Sequence, residues 1–245
     1  MSLTTYVLGF WKVPNNKKNS IEHYYTWFPK TFEMLKNKNV VFFYEDDEIL
    51  DYVRAILRTD SFISIKLSVT DLPTYSLSDD YLNSCKGQDN QRLKTLNDRK
   101  GITHYSREYI QSGEDAYKKV ISIWTSKVLL IQRIAEENPF GTSTFAWVDV
   151  SVSRFKRSCL QRHKKGTIST YPNGNSYMGE SISNLAAYMI SDISTWNLLF
   201  PLYKTELESL RHSNYAHDEE TILHIIRKKN KALFSHIPIN QEESK

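Results

Sequence analysis

Two hydrophobic periods alternate through the first 150 residues of this chain, and that alternation constrains its fold more than any single motif. "TTYVLGFW" (4–11), "NVVFFYE" (39–45), "SFISIKLSV" (61–69) and "TFAWVDV" (144–150) are short runs rich in β-branched and aromatic residues. Helical patterns lie between them. "DDEILDYVRAIL" (46–57) sets Ile49, Tyr52, Val53, Ile56 and Leu57 at i, i+3, i+4, i+7 and i+8, with acids in the first turn where the helix dipole favours them. "SIEHYYTWFPKTFEMLK" (20–36) predicts a helix kinked or split at Pro29. "EDAYKKVISIWTSKVLLIQRIAEEN" (114–138) predicts a long helix, apolar on more than one face and ended by Asn138-Pro139. Strands alternating with helices need crossover connections, so the expected class is α/β with a mainly parallel central sheet flanked by helices.

The rest of the chain is less periodic. The polar stretch from 70 to about 113 is too long for a plain loop and is expected to be helical in part or else mobile. "YPNGNSY" (171–177) carries an Asn173-Gly174 turn signal, and 183–210 reads as helix interrupted near Pro201. In "HDEETILHIIRKKNKALF" (217–234), Asp218 is a plausible N-cap and Lys228 and Lys229 fall in the last turn. One domain is expected over 1–240, with 241–245 a disordered polar tail.

Composition removes several function classes. Against 28 Asp and Glu the chain has 32 Lys and Arg, a net +4 that is too mild to argue for a nucleic-acid partner. Cys85 and Cys159 lie far apart and fit neither a metal-ligand spacing nor a disulfide framework. No stretch approaches the ~18 uncharged apolar residues of a membrane span, and "MSLTTYVLGFWKV" lacks the basic flank and cleavage site of a signal peptide. The expected location is therefore the cytoplasm.

Asp149 is the first candidate site residue. An acid inside an apolar strand is costly unless paired, about 2–7 kcal/mol for even an uncharged polar group lacking a hydrogen bond, so Asp149 is expected at the strand's end. In open α/β sheets ligands bind beyond the carboxyl ends of the strands, which makes Asp149 either a cation or ribose ligand or a turn cap. Lys127, among Ile123, Trp124, Ile131 and Ile134 at helical spacing, either snorkels to water or reaches a phosphate. Arg154 follows the Asp149 strand and begins a basic run to Lys165 that suits a diphosphate, an acidic glycan or an anionic membrane surface, or is a solvated face. Asp218 and Glu219 are functional acids or dipole-placed helix acids, and His217 adjoins them as a possible metal ligand.

The stretch "IWTSKVLLIQRIAEENPFGTSTFAWVDVSVSRF" (123–155) resembles the HtrL/YibB family of bacterial proteins, which have a lysine-bearing helix, Asn-Pro-Phe and a strand of the form Trp-Ile-Asp-Ala-Gly. "HDEETILHIIRKKNKALF" looks like that family's acidic helix and Asn…Leu-Phe element, and the N-terminal strands and helix fit more loosely. The resemblance leaves 70–113 and 156–180 unmatched. It implies a nucleotide-diphosphosugar transferase of the GT-A type, working on surface polysaccharide or lipopolysaccharide, or a catalytically silent scaffold of that shape. It also implies a divalent metal, Mn²⁺ or Mg²⁺, at Asp149, a site that His217 would complete if the fold brings the two together. Serine stands at 151, where such transferases carry a second acid. Lys127, Asp149, Ser151 and Arg154 would bind the nucleotide-sugar, and Asp218 or Glu219 would be the catalytic carboxylate. A glycan or glycolipid acceptor and peripheral contact with the inner membrane surface through 154–165 complete the expectation.

Overall fold

Runs that are apolar on both faces need cover on both faces, and the chain supplies it as a central sheet between two helical layers. The computed structural model describes residues 3–155, 160, 163–177, 179–182, 184–210 and 218–237. In it, β1 (Thr4–Phe10), β2 (Asn39–Tyr44), β3 (Phe62–Lys66), β4 (Thr144–Val148), β5 (Ile168–Pro172), β8 (Asn184–Asp192) and β9 (Phe234–His236) form one seven-stranded sheet. A two-stranded hairpin, β6 (Ser176–Tyr177) and β7 (Glu180–Ser181), stands apart from it. The sheet order is β3-β2-β1-β4-β8-β5-β9, and β8 alone runs antiparallel to its neighbours.

Alternate residues of each strand feed different layers. Leu8, Phe42, Ala146 and Val148 pack with Phe28 and Phe32 of α1 (Ile21–Met34) and with Ile49 and Val53 of α2 (Asp47–Ile56). Val7, Val41, Phe43, Phe145 and Trp147 turn to the other face. There they meet α3 (Ser78–Lys86), α6 (Glu114–Glu137), α7 (Ile193–Leu210) and α8 (Glu219–Lys229). The two faces of α6 are thereby both used, one on the sheet and one beneath α3 and α7, which is why its apolar residues do not form a single stripe.

Two sequence expectations change, and a third, left between two alternatives, is met by one of them. Neither Pro29 nor Pro201 breaks its helix: α1 and α7 run through them, each proline lies on the exposed side, and buried Phe28, Phe32, Leu199 and Phe200 hold the flanking turns to the core. Residues 184–192 are strand and not helix. A run of continuous apolar residues has no period to separate a buried strand from a buried helix, and β8, flanked by β4 and β5, is buried at seven of its nine positions. The polar stretch after β3 is helical, with α3, α4 (Asn90–Thr95), α5 (Arg99–Thr103) and a π-helical turn at His104–Gln111 leading into α6. Asp89 and Asp98 cap the second and third of these helices through their side chains. The tail at 241–245 lies outside the described residues. Among the described residues no helix is long and apolar enough to cross a membrane.

The chain builds outward from β1 through β2 to β3, then returns along α6 to place β4 on the other side of β1. The strand order therefore reverses between β1 and β4, and a crevice opens at their carboxyl ends.

Candidate functional site

A cavity of about 700 Å³ occupies that crevice. Gly9, Phe10 and Trp11 reach it from the end of β1, Trp147 and Asp149 from the end of β4, Leu185 and Ala187 from the start of β8, and Glu219 from the start of α8. Gly9 is required by the packing at its rim, since a Cβ there would sit 2.5 Å from the Trp11 ring. That ring is fixed in turn by an Nε1 hydrogen bond to the Leu67 carbonyl at 2.9 Å.

Asp149 lies one residue beyond β4, as a carboxylate at the end of an apolar strand should. Its backbone N–H donates to the Ala187 carbonyl (2.8 Å), and its Oδ1 accepts from Trp147 Nε1 (2.7 Å) and from Lys127 Nζ (2.9 Å). Lys127 does not reach water: the residue is 4 % exposed, and its amine lies between Asp149 and Glu219, 2.8 Å from Glu219 Oε1. Burial by itself would lower the lysine's pKa, but the charges of Asp149 and Glu219 reverse this and raise it. Burial likewise pushes Asp149 upward, and Lys127, Arg154 and the Trp147 hydrogen bond together bring it below its ordinary value. For Glu219 burial wins. With Asp218 and Glu220 adding like charge, its pKa is raised even though Lys127 pulls the other way. One lysine thus holds two acids whose pKa values are shifted in opposite directions.

A second lysine organises the entrance of α8. Lys100 Nζ lies 2.5 Å from Asp218 Oδ2 and also contacts Glu220 Oε2. Asp218 Oδ1 caps α8, accepting from the Thr221 N–H (2.9 Å) and hydroxyl (2.8 Å), while His104 Nε2 lies 3.4 Å from Oδ2. Burial opposes this charge, yet Lys100 and His104 hold the Asp218 carboxyl well below the carboxylate range. Glu220 accepts from Asn173 Nδ2 (2.8 Å) and the Ala186 N–H (3.2 Å), joining the Asn173-Gly174 turn to β8 and α8.

The sequence-predicted residues Lys127, Asp149, Ser151, Arg154, Asp218 and Glu219 all line this one cavity. His217 lies outside the described residues, and so does most of the basic run. Of that run, His163 sits 3.7 Å from Asp192 and Lys164 and Lys165 are exposed, away from the cavity wall. Lys18, Lys100, His104 and Trp124 line the cavity without having been anticipated. Lys18 had a usable signal, since "KVPNNKKNS" directly follows β1 and the crevice rule applies to that strand end as it does to β4. Lys100 sits in a polar stretch with no periodic cue.

Asp149 and His217 were expected to hold a divalent ion, with Ser151 standing in place of a second acid. Oδ1 of Asp149 is engaged by Lys127 and Trp147, and the Ser151 hydroxyl accepts from Arg154 Nη1 at 3.1 Å. Two unit positive charges ~4 Å apart repel by about 4 kcal/mol at an effective dielectric of ~20, and a divalent ion doubles that against each neighbour. With two cations already bound to the donor atoms, the described residues here do not fit a divalent ion. Nor is there elsewhere among the described residues a group of three or more His, Cys, Asp or Glu that could hold one.

No family model matches the chain, and no curated protein matches it. Among solved structures, the apo form of mouse xyloside xylosyltransferase 1 is similar at 13% identity, covering 95% of this chain and 84% of that one with a TM-score of 0.48.

Proposed function

We propose that this chain is a GT-A-type glycosyltransferase, taking a sugar from a nucleotide-diphosphosugar to a glycan or glycolipid acceptor of surface polysaccharide or lipopolysaccharide. The observation that carries the reading is the composition of the cavity at the β1/β4 switch point. It sets two carboxylates whose pKa values are shifted in opposite directions, Asp149 and Glu219, beside cations and between indole walls from Trp11, Trp124 and Trp147. The resemblance of 123–155 and 217–234 to the HtrL/YibB proteins points the same way.

Glycosyl transfer breaks the bond from the anomeric carbon to the diphosphate oxygen and forms one to an acceptor hydroxyl oxygen. Negative charge grows on the leaving diphosphate and positive charge at the anomeric carbon, while the acceptor loses a proton. Cations of the cavity serve the first and ionised Asp149 the second. Glu219, whose raised pKa brings it nearer the working pH, takes the acceptor's proton. Asp218 is too strong an acid for that task and positions α8. A lipid-linked acceptor would bring the protein to the cytoplasmic face of the membrane.

The second reading, a silent glycan- or nucleotide-binding scaffold, is favoured by one observation: Lys127 ties Asp149 to Glu219, so a catalytic base must first release a lysine. A panel of UDP-, GDP-, CMP- and dTDP-sugars in thermal-shift assays tests both. A donor at 100 Kd adds about 2.7 kcal/mol of stability. Stabilisation by one donor class with slow donor hydrolysis is expected for a transferase. Stabilisation with no turnover on any acceptor leaves the scaffold, and no stabilisation by any donor refutes both nucleotide-binding readings.

A further inference from the structure

Three cations lining the cavity, Arg99, Lys18 and Arg154, pair with no carboxylate among the described residues; Arg99 is exposed, and the other two are seated on aromatic rings. Lys18, in the loop after β1, places its ammonium 4.2 Å from the Trp124 ring centroid. Its loop is pinned: the Lys17 N–H donates to Ser112 Oγ (3.0 Å) and the Lys18 N–H to Asn16 Oδ1 (2.9 Å). Arg154, on the turn after β4, lies 4.6 Å over Phe155 and 5.9 Å over Trp27 while donating to Ser151. By contrast, Lys12, Lys100, Arg107 and Lys127, which line the same cavity, each pair with a carboxylate. Among the described residues neither Lys18 nor Arg154 has such a partner. One comes from the β1 loop and one from the β4 turn, both line the one cavity, and the Arg154 charge is felt at Lys18. Two like charges held on aromatic faces over one cavity, with their usual partners absent, leave a place for a compact anion of two or more charges.

We propose that Lys18 and Arg154 form a metal-independent diphosphate subsite, doing between them what a divalent ion at Asp149 would do. The inference rests on the glycosyl-transfer reading for its physiological ligand, but the subsite itself is a claim about diphosphates. Asp149 is thereby left to the sugar, with Lys127 as its counter-ion and not as a phosphate ligand.

Calorimetric titration of the full chain with inorganic pyrophosphate and with UDP, in EDTA and again in Mn²⁺, tests it. Binding is expected in EDTA, with manganese changing Kd by less than about 3-fold, well under the ~10-fold that 1.4 kcal/mol represents. Lys18→Met and Arg154→Gln should each weaken pyrophosphate by about 10- to 100-fold, the size of one lost charged hydrogen bond, and Lys18→Arg should recover most of it. Unchanged thermal melting of each variant assigns the loss to the site. Binding that vanishes in EDTA, or folded variants that bind as the wild type does, overturns the proposal. The two claims fail separately. Pyrophosphate bound in EDTA with no nucleotide-sugar bound keeps the subsite and sinks the transferase, while manganese-dependent donor binding indifferent to Lys18 and Arg154 does the reverse.

Discussion

Replacing Lys127 by methionine removes a charge and keeps most of the side chain's length. The residue is 4 % exposed and its amine neutralises two acids at 2.9 and 2.8 Å, so the variant leaves Asp149 and Glu219 facing each other without their cation. Breaking a buried ion pair by deleting one partner costs about 3–5 kcal/mol, much of it the price of the stranded charge. At roughly 2–4 °C per kcal/mol for a chain of this size, the melting temperature should fall by about 6–20 °C near neutral pH. The loss should depend on pH in a defined direction. The folded-state pKa of Glu219 is already raised and rises further without Lys127, so the folded protein binds a proton that the unfolded chain does not. Stability then falls as pH rises from the unfolded value through the folded one, and the variant should recover relative to wild type on going from about pH 7 to about pH 5. Adding Glu219→Gln should rescue Lys127→Met by about 1–3 kcal/mol, the usual range for groups in one ion-pair network. Urea denaturation of the four proteins at the two pH values gives every quantity. A single variant within ~1 kcal/mol of wild type at neutral pH, well below the cost of a stranded charge, or a double variant no better than the single, would refute the bridging role of this lysine.

Three other outcomes are expected. Asp218→Asn should keep the cap of α8 and lose the charge, whereas Asp218→Ala loses both, so their difference in urea reports the cap alone at about 1 kcal/mol; equal stabilities would remove the capping account. The depressed Asp218 pKa also makes its contribution one that is present above the unfolded carboxyl pKa and lost as pH falls toward the folded value, a loss to be followed by acid titration of wild type against Asp218→Asn. Burial lowers the Lys18 pKa to about 8, with Glu108 and Glu219 raising it and Arg154 and Lys100 lowering it, so UDP affinity should decline as pH rises above about 8 and be flat there in Lys18→Met. The Cys85 thiol is fully buried and pushed up to about 12, so in a Cys159→Ser background it should react with a thiol reagent only as fast as the protein opens.

Elements that carry their own period were legible. The i, i+3, i+4, i+7 spacing of α2, the capped start of α8 and the β-rich runs of β1, β2 and β4 each depend on residues close in sequence, and so does the end of α6 at Asn138. β8 was not, because its identity as a strand is decided by β4 and β5 pairing on its two sides, partners that lie tens of residues away. The prolines misled for a related reason. A proline breaks an isolated helix, but Pro29 and Pro201 sit on exposed faces of helices whose other faces are anchored by phenylalanines in the core.

The site divides along the same line. That Asp149 ends a strand follows from the cost of an acid within one, a local argument, and the crevice rule then places it at the carboxyl edge. What Lys127 does there is not local. Its neighbours at helical spacing describe a lysine on an apolar face, for which snorkelling and phosphate binding were the available roles, because the two acids that hold it come from β4 and from α8, twenty-two and ninety-two positions on. Only the sheet order, with β4 beside β8 and α8 packed against β8 and α6, brings those acids to one amine. The pairing then decides the chemistry of the rest of the cavity. A lysine spent on Asp149 cannot neutralise a phosphate, and an Asp149 held by a lysine is a poor ligand for a divalent ion. Charge neutralisation therefore falls to the cations the pairing leaves over, and of these Lys18 and Arg154, unlike exposed Arg99, are held on aromatic rings.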